Sequence, residues 1–267
     1  MKITEDRKIV LDQDFIKLEI DSSDKLELEF EPVNDCNVFI NINSVNELTV
    51  KGETKADQRV SLFFWNGCNE PVCISSFFEV KENGELILGF GECNGADTFI
   101  DATVELKEKK AKATVSTASL VNSEKDYRIR VINSAVNTEA QIKNYAVVLN
   151  KGRLTIDAVG KIVNGAHKSR SHQVSRALSF EEGQKVTILP ELLIDENDVQ
   201  ASHAMSIGRV DENQLYYMMS RGLNIRECTM LISMGYLLPI ADIIEDKELQ
   251  DTIRNQLENR IRELCLM

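Results

Sequence analysis

AKATVSTASLV (111–121), YRIRVINSA (127–135), AQIKNYAVVL (140–149) and RLTIDAVGKIV (153–163) follow one another with only short breaks through the middle of the chain. In each, apolar and polar residues alternate with a period of two, the pattern of a strand with one buried face. The same alternation extends upstream through KLELEF (25–30), NVFINI (37–42), ELTV (47–50), RVSLFFW (59–65), VCISSFFEV (72–80), ELILGF (85–90) and FIDATVEL (99–106). Downstream it returns in KVTILPELLI (185–194). Strand starts are about ten residues apart, which is regular all-β spacing. The connectors VND, KENGE, CNGAD, NKG and EEG are corners built on Asn, Asp and Gly.

Two architectures fit such a series, a sandwich and a parallel β-helix. Asn41, Asn133, Asn144 and Ser134, placed inside strands, favour the β-helix, in which like side chains stack between coils and each coil covers the next. No strict repeat is visible, so the sandwich stays open on periodicity alone.

The chain has 267 residues, enough for one large domain or one domain with a small appendage. With 43% hydrophobic and 28% charged residues it belongs with folded globular proteins rather than disordered ones. The formal net charge of −12 opposes binding to nucleic acid and to anionic membranes. No apolar run is long enough to span a bilayer, and the start, MKITEDRKIVLDQDFIKLEI, lacks the apolar core of a signal peptide. A cytoplasmic location is expected. Cys36, Cys68, Cys73, Cys93, Cys228 and Cys265 are dispersed without a CxxC pair, and we read them as reduced thiols.

Past residue 210 the period changes to that of helices. Asp211 and Gln214 have the spacing of a capping box; Leu215, Met218 and Met219 share a face, and Gly222 stands at the end. Asn224 and Glu227 open a second helix, with Ile225, Cys228, Ile232 and Gly235 as its inner face and Pro239 in the next connection. A third helix, about 247–264, has an amphipathic stripe of Leu249, Ile253, Leu257, Ile261 and Leu264. The expected division is a β core over 1–209 and a helical subdomain over 210–267.

From about Asn144 to Gly235 the chain resembles the SufB/SufD family of iron–sulfur cluster assembly scaffolds. The residues that carry the resemblance are SRALSFEEGQKVTILPELLI (175–194), NDV (197–199), SHAMSIGRVDENQLYYMMSRGL (202–223) and LISMGY (231–236). Residues 1–140 share only the β character. The resemblance implies a right-handed parallel β-helix with a C-terminal helical subdomain. It also implies a two-fold dimer through the β-helix, as a homodimer or with a SufB-type chain. A SufC-type ABC ATPase is expected to dock on the helices, and a transient iron–sulfur cluster to be held by ligands shared with the partner chain. Of the ligand set proposed for the family only His203 is present. Val174 stands at the place of a SufB-type cysteine, Ala204 at that of a carboxylate, and Ala201 at that of a SufD-type cysteine. The chain therefore looks SufD-like.

Each candidate has a plain structural reading beside the functional one. His203, placed between a strand and the capped helix, is a cluster-proximal ligand or a hydrogen-bonded interface histidine. Leu215, Tyr216, Tyr217, Arg221 and Gly222 form a partner-docking surface, or pack on the third helix. Lys161, His167, Lys168, Arg170, His172 and Arg176 form a basic island that could bind a phosphate or steer an acidic partner surface, and that reads first as a solvated strand edge. Cys68, Cys73 and Cys93 match no ligand spacing and read as small buried hydrophobes. The chain has no GxxxxGK[ST], GxSxG or HExxH, and three histidines leave few general bases, so a non-enzyme is expected. Two other readings compete with the scaffold: a paralogue that binds the ATPase but no cluster, and a carbohydrate-active β-helix enzyme. The latter would need clustered carboxylates in a groove.

Overall fold

The computed structural model describes residues 1–180, 183–243 and 246–266, apart from the side chains of 243 and 264–266. Leu264 of the predicted stripe, Cys265, and Glu181 and Glu182 of the EEG corner thus lie outside what is described.

The odd-numbered strands form one nine-stranded sheet: β1 (Lys2–Ile3), β3 (Phe15–Asp21), β5 (Cys36–Ser44), β7 (Arg59–Asn66), β9 (Glu85–Glu92), β11 (Lys112–Val121), β13 (Glu139–Val148), β15 (Arg170–Ser179) and β17 (Gln200–Arg209). The even-numbered strands form an eight-stranded sheet: β2 (Arg7–Leu11), β4 (Lys25–Pro32), β6 (Glu47–Glu53), β8 (Val72–Val80), β10 (Thr98–Leu106), β12 (Glu124–Asn133), β14 (Arg153–Ile162) and β16 (Lys185–Ile194). Neighbours in each sheet are two strands apart in sequence and pair in parallel, for example β11 with β9 and β13. This is a two-sheet β-solenoid, each coil giving one strand to each sheet. It decides against the sandwich.

The register stacks like on like. Ile16, Val38, Leu62, Leu88, Val115 and Ile142 form one column of the first sheet. Leu26, Leu48, Ile74, Ile100, Tyr127, Ile156 and Ile188 face it from the second. Between them lies the main core. Of the four polar residues expected to stack inside, two do. Asn133 and Asn144 are buried, and Thr117 Oγ1 donates to Asn144 Oδ1 (2.9 Å) while Asn144 Nδ2 donates to Ser175 Oγ (3.1 Å). Asn41 lies on the outward parity of β5 and bonds Glu19 (2.7 Å), and Ser134 falls one residue past β12.

The corners repeat a backbone conformation. Asp57, Asn83, Lys110, Asn137 and Lys168 all have φ between 56° and 61°. Each donates its N–H to a carbonyl one coil on, as in Asn83 to Lys109 (3.0 Å), Lys110 to Val136 (3.1 Å) and Asn137 to His167 (2.8 Å). The left-handed region suits Asn and Asp and strains a long side chain such as Lys.

The helices are α1 (Glu212–Ser220), α2 (Ile225–Leu237) and α3 (Lys247–Leu266), the last two joined through a short 3₁₀ turn (Leu238–Ile243). No helix among the described residues is long and apolar enough to cross a membrane. Leu249, Ile253, Leu257 and Ile261 of α3 are fully buried against Phe39, Phe63, Trp65, Ile87, Leu120 and Val147 on the outer face of the nine-stranded sheet. This second core explains why the alternation breaks in RVSLFFWN and ELILGFGE, where nearly every residue is buried. Gly89 and Gly91 leave room for the rings of Phe63 and Trp65, which a Cβ would meet at 2.5 and 2.6 Å.

Asp211 caps α1 by accepting from the Asn213 N–H rather than through a box with Gln214, and Gly222, with φ +96°, terminates it. The Asn224–Glu227 box of α2 is complete. The inner face of α2 differs from expectation. Cys228, Ser233 and Leu237 are buried, whereas Ile225 and Gly235 are exposed, because α2 lies between sheet and α3 and Met230 and Met234 supply its contact with the second core.

Replacing Lys110 with Gly relieves the left-handed strain and should stabilise the fold by about 0.5–1 kcal/mol, whereas Asn137→Val should cost about 1–2 kcal/mol. Urea unfolding of the two variants checks the opposite signs.

Candidate functional site

β16 and β17 are the last strands of their sheets, so each leaves one backbone edge without a neighbouring strand. β17 is exposed at nearly every position. Its register with β15 pairs Ala201 with Ser171, His203 with Gln173, Met205 with Ser175 and Ile207 with Ala177. The β15 members of these pairs are buried on the core side, so the β17 members continue the core face past the last covered coil. Met205 is 49% and Ile207 46% exposed.

His203 therefore lies within a strand, not after one, and on the inward face of the open coil. Beneath it Gln173 is buried, its Nε2 donating to the Glu191 carbonyl (2.9 Å) and its Oε1 without a protein partner. Val174 and Ala204 are register partners on the opposite, outward face. The positions singled out by the resemblance thus split into two pairs, His203 with Ala201 inside and Val174 with Ala204 outside.

The corner that launches β17 is fixed by one carboxylate. Glu196 accepts from the N–H groups of Gly165 (3.0 Å), Asn197 (2.8 Å) and Asp198 (3.4 Å), and His167 lies 3.2 Å away. These backbone donors hold the Glu196 carboxyl below the usual carboxylate range.

On α1, Leu215 and Met218 are half-buried and no residue is fully buried. Tyr216 is 77% and Tyr217 58% exposed, and Met219, Ile225 and Leu231 extend the uncovered apolar surface. Arg221 stacks on the Tyr217 ring (5.1 Å) and donates to its hydroxyl (3.2 Å), with Gly222 closing the helix behind it. Of the predicted docking residues, Tyr216, Tyr217, Arg221 and Gly222 are exposed and Leu215 is half-buried.

The cysteines lie elsewhere. Cys36, Cys68, Cys93 and Cys228 are buried, and Cys73 is half-buried on the outer face of the other sheet. Burial pushes Cys36 and Cys93 up to about 12 and Cys68 up to about 11, so these thiols stay protonated. No group of three His, Cys, Asp or Glu side chains with metal-holding geometry occurs among the described residues. The basic island is also divided. Lys161 lies on the second sheet, His167 pairs with Glu196, and Lys168 occupies the left-handed corner.

One buried polar cluster had escaped the sequence reading. Glu92 and Lys125, both fully buried, lie 3.6 Å apart inside the solenoid. Lys125 Nζ donates to the Ala96 carbonyl (2.7 Å), Thr98 Oγ1 (2.8 Å) and Asn94 Oδ1, and Asn66 Nδ2 donates to Glu92 (2.9 Å). Burial raises Glu92 and lowers Lys125 toward their neutral forms, against their mutual attraction. The available signal was parity: in ELILGFGE a carboxylate occupies the inward position after Leu86, Leu88 and Phe90.

Fold and site together define a parallel β-solenoid with an uncapped end and an uncovered helix beside it. Residues 43–236 match the family model of the SUF system FeS cluster assembly SufBD core domain. The chain is 30% identical over 174 residues to the iron–sulfur cluster assembly protein SufD of Bacillus subtilis, an alignment covering 64% of this chain and 40% of that protein. It is 28% identical over 189 residues to an iron–sulfur cluster assembly SufBD family protein of Archaeoglobus fulgidus (70% of this chain, 50% of that protein). To SufD of Escherichia coli it is 24% identical over 115 residues (43% and 27%). The aligned stretches span half or less of each relative. The chain belongs to the SufBD family, near its SufD members, and the match begins about a hundred residues before the motifs that first suggested it.

Lys125→Met should cost about 3–5 kcal/mol by leaving Glu92 buried and unpaired, while Glu92→Leu with Lys125→Met should cost markedly less than the two singles together. A double-mutant cycle in denaturant reads this directly. For Glu196, whose folded value is depressed, the stabilisation is present above the ordinary carboxylate range and is lost as pH falls through the lower folded value. Hydrogen-exchange protection of the Gly165 and Asn197 amides, taken relative to their intrinsic exchange rates, should fall as pH drops through that window, and Glu196→Gln should remove the pH dependence of the protection.

Proposed function

We propose that this chain is a non-catalytic, cytoplasmic subunit of a SUF-type iron–sulfur assembly complex. The observation that carries the reading is the open solenoid end, where His203, Met205 and Ile207 continue the core face on a strand whose edge is free. A strand added there, from a second copy or from a SufB-type chain, would pair the edge and cover the apolar side chains. Family membership supports that partner class. The surface of Leu215, Tyr216, Tyr217 and Arg221 has the aromatic and arginine composition of an interface anchor and suits a SufC-type ABC ATPase.

Cluster chemistry in this reading is cargo, not a resident cofactor. An imidazole at His203 can offer a neutral nitrogen to iron. On its own face His203 is flanked by Ala201 and Met205, neither a thiolate nor a carboxylate, so in this reading further anionic ligands come from the partner chain. Val210 and Asp211 alone separate β17 from α1. A pull on α1 by a docked ATPase is thereby transmitted to the strand at the open end. The second reading, a paralogue that docks the ATPase without touching a cluster, is favoured by Val174 and Ala204 lying paired on the outward face.

Because α2 and α3 share a core with the sheet, point variants test the docking better than removal of the helices. Tyr216→Ala with Tyr217→Ala should weaken binding of the cognate SufC-type ATPase by roughly 30-fold or more without changing the unfolding midpoint. Undiminished co-purification would sink the docking assignment. Complex formation that is intact in His203→Ala, with cluster assembly equally intact, would select the paralogue reading.

A further inference from the structure

The outer face of the terminal coils gathers basic side chains in a protein whose net charge is −12. Lys143 of β13 is the register partner of Val174, and His172 and Arg176 flank Val174 along β15, so three basic side chains surround one small residue on a single face. Strand spacing of about 4.8 Å and a two-residue step of about 6.6 Å put all three within reach of one point. On the other side of Val174 lie Ser202, Ala204 and Ser206, which are small and leave the space above them open. Ser202 Oγ is 2.8 Å from His172 Nδ1. Tyr145, the register partner of Arg176, adds a phenol to the rim, and Tyr236 of α2, packed like Tyr145 on the second core, lies near enough to feel the Arg176 charge. Burial raises the Tyr236 hydroxyl, and the nearby Arg176 guanidinium opposes that rise.

Several lysines elsewhere are neutralised. Lys81 bridges Glu53 and Glu79, Lys107 bridges Glu79 and Glu105, Lys8 bridges Glu29 and Glu31, and Lys109 pairs with Glu82. Lys143, His172 and Arg176 form no ion pair among the described residues. The nearest carboxylate on this face of β13, Glu139, lies at the start of the strand beside Arg170 and accepts from Gln141 (3.3 Å). Lys143 and Arg176 side by side repel one another, and an anion between them removes that repulsion while accepting charge-assisted hydrogen bonds.

We propose that Lys143, His172 and Arg176, with Ser202 and the Tyr145 and Tyr236 hydroxyls at the rim, bind a single phosphate-type oxyanion. The planar guanidinium of Arg176 supplies two parallel donors and Lys143 a point charge, a combination suited to a tetrahedral dianion. The site lies on the face opposite His203, and it stands whether or not the assembly reading holds.

The test is calorimetric titration of the full chain at low ionic strength with inorganic phosphate and, separately, with AMP. Saturable one-site binding is expected, weakened by about tenfold or more in Arg176→Met and in Lys143→Met, and unchanged in Lys161→Met, whose charge lies on the other sheet. AMP binding no tighter than phosphate assigns the site to the free ion, and tighter AMP binding assigns it to a phosphoryl group on a larger ligand. Either result upholds the proposal if it carries the Arg176 dependence. Absence of saturable binding by both probes at about 10 mM, or an equal loss in Lys161→Met, overturns it. Unchanged thermal unfolding of the variants separates lost binding from lost structure.

Discussion

Each strand of the solenoid finds its hydrogen-bond partners one coil away, never in its sequence neighbour. Parallel in-register pairing of this kind makes every coil both a template for the next and a cover for the last. The corners obey the same constraint. A left-handed residue recurs at Asp57, Asn83, Lys110, Asn137 and Lys168 because the chain must turn the same way each time for the register to hold. A series built like this cannot satisfy its own ends. At the β16–β17 end the core face runs on into solvent through His203, Met205 and Ile207. The exposure of those side chains follows from the absence of a next coil.

A second constraint acts sideways. A nine-stranded sheet carrying Phe39, Phe63, Trp65, Ile87 and Leu120 on its outer face cannot leave that face wet. The stripe of α3 covers it, with α2 wedged alongside, so the helices are bound to the solenoid by a core of their own. Helix α1 is left over. It caps cleanly, packs against α2 and turns its tyrosines outward, so a stable platform presents an uncovered surface. The solenoid end and this surface are neighbours in sequence, separated by Val210 and Asp211 alone.

Inside the solenoid, several inward polar groups are tied to one another. Thr117, Asn144 and Ser175 bond one another across three coils, and Glu92 with Lys125 is enclosed by Asn66, Asn94 and Thr98. A one-residue slip of a strand would turn such a group outward and an apolar residue with it, so these bonds penalise wrong registers more than they add to stability.

The sequence by itself determined the local events. Alternation located twelve of the strands, the Asn224–Glu227 box and Gly222 marked helix ends, and the four-residue stripe of α3 declared a face that had to be covered. These are readable because they depend on residues within one or two turns of each other. Strand β17 was missed as a strand, since SHAMSIGR has no apolar alternation strong enough to announce it, and it exists because β15 offers it an edge. Only the tertiary structure decided which sheet face each residue joined. It placed Asn41 outside and Asn144 inside, turned His203 away from Val174, paired Glu92 with Lys125 across 33 positions of chain, and gathered Lys143 with His172 and Arg176. All of these are products of register between coils 22 to 32 residues apart, a separation over which period and composition carry no information.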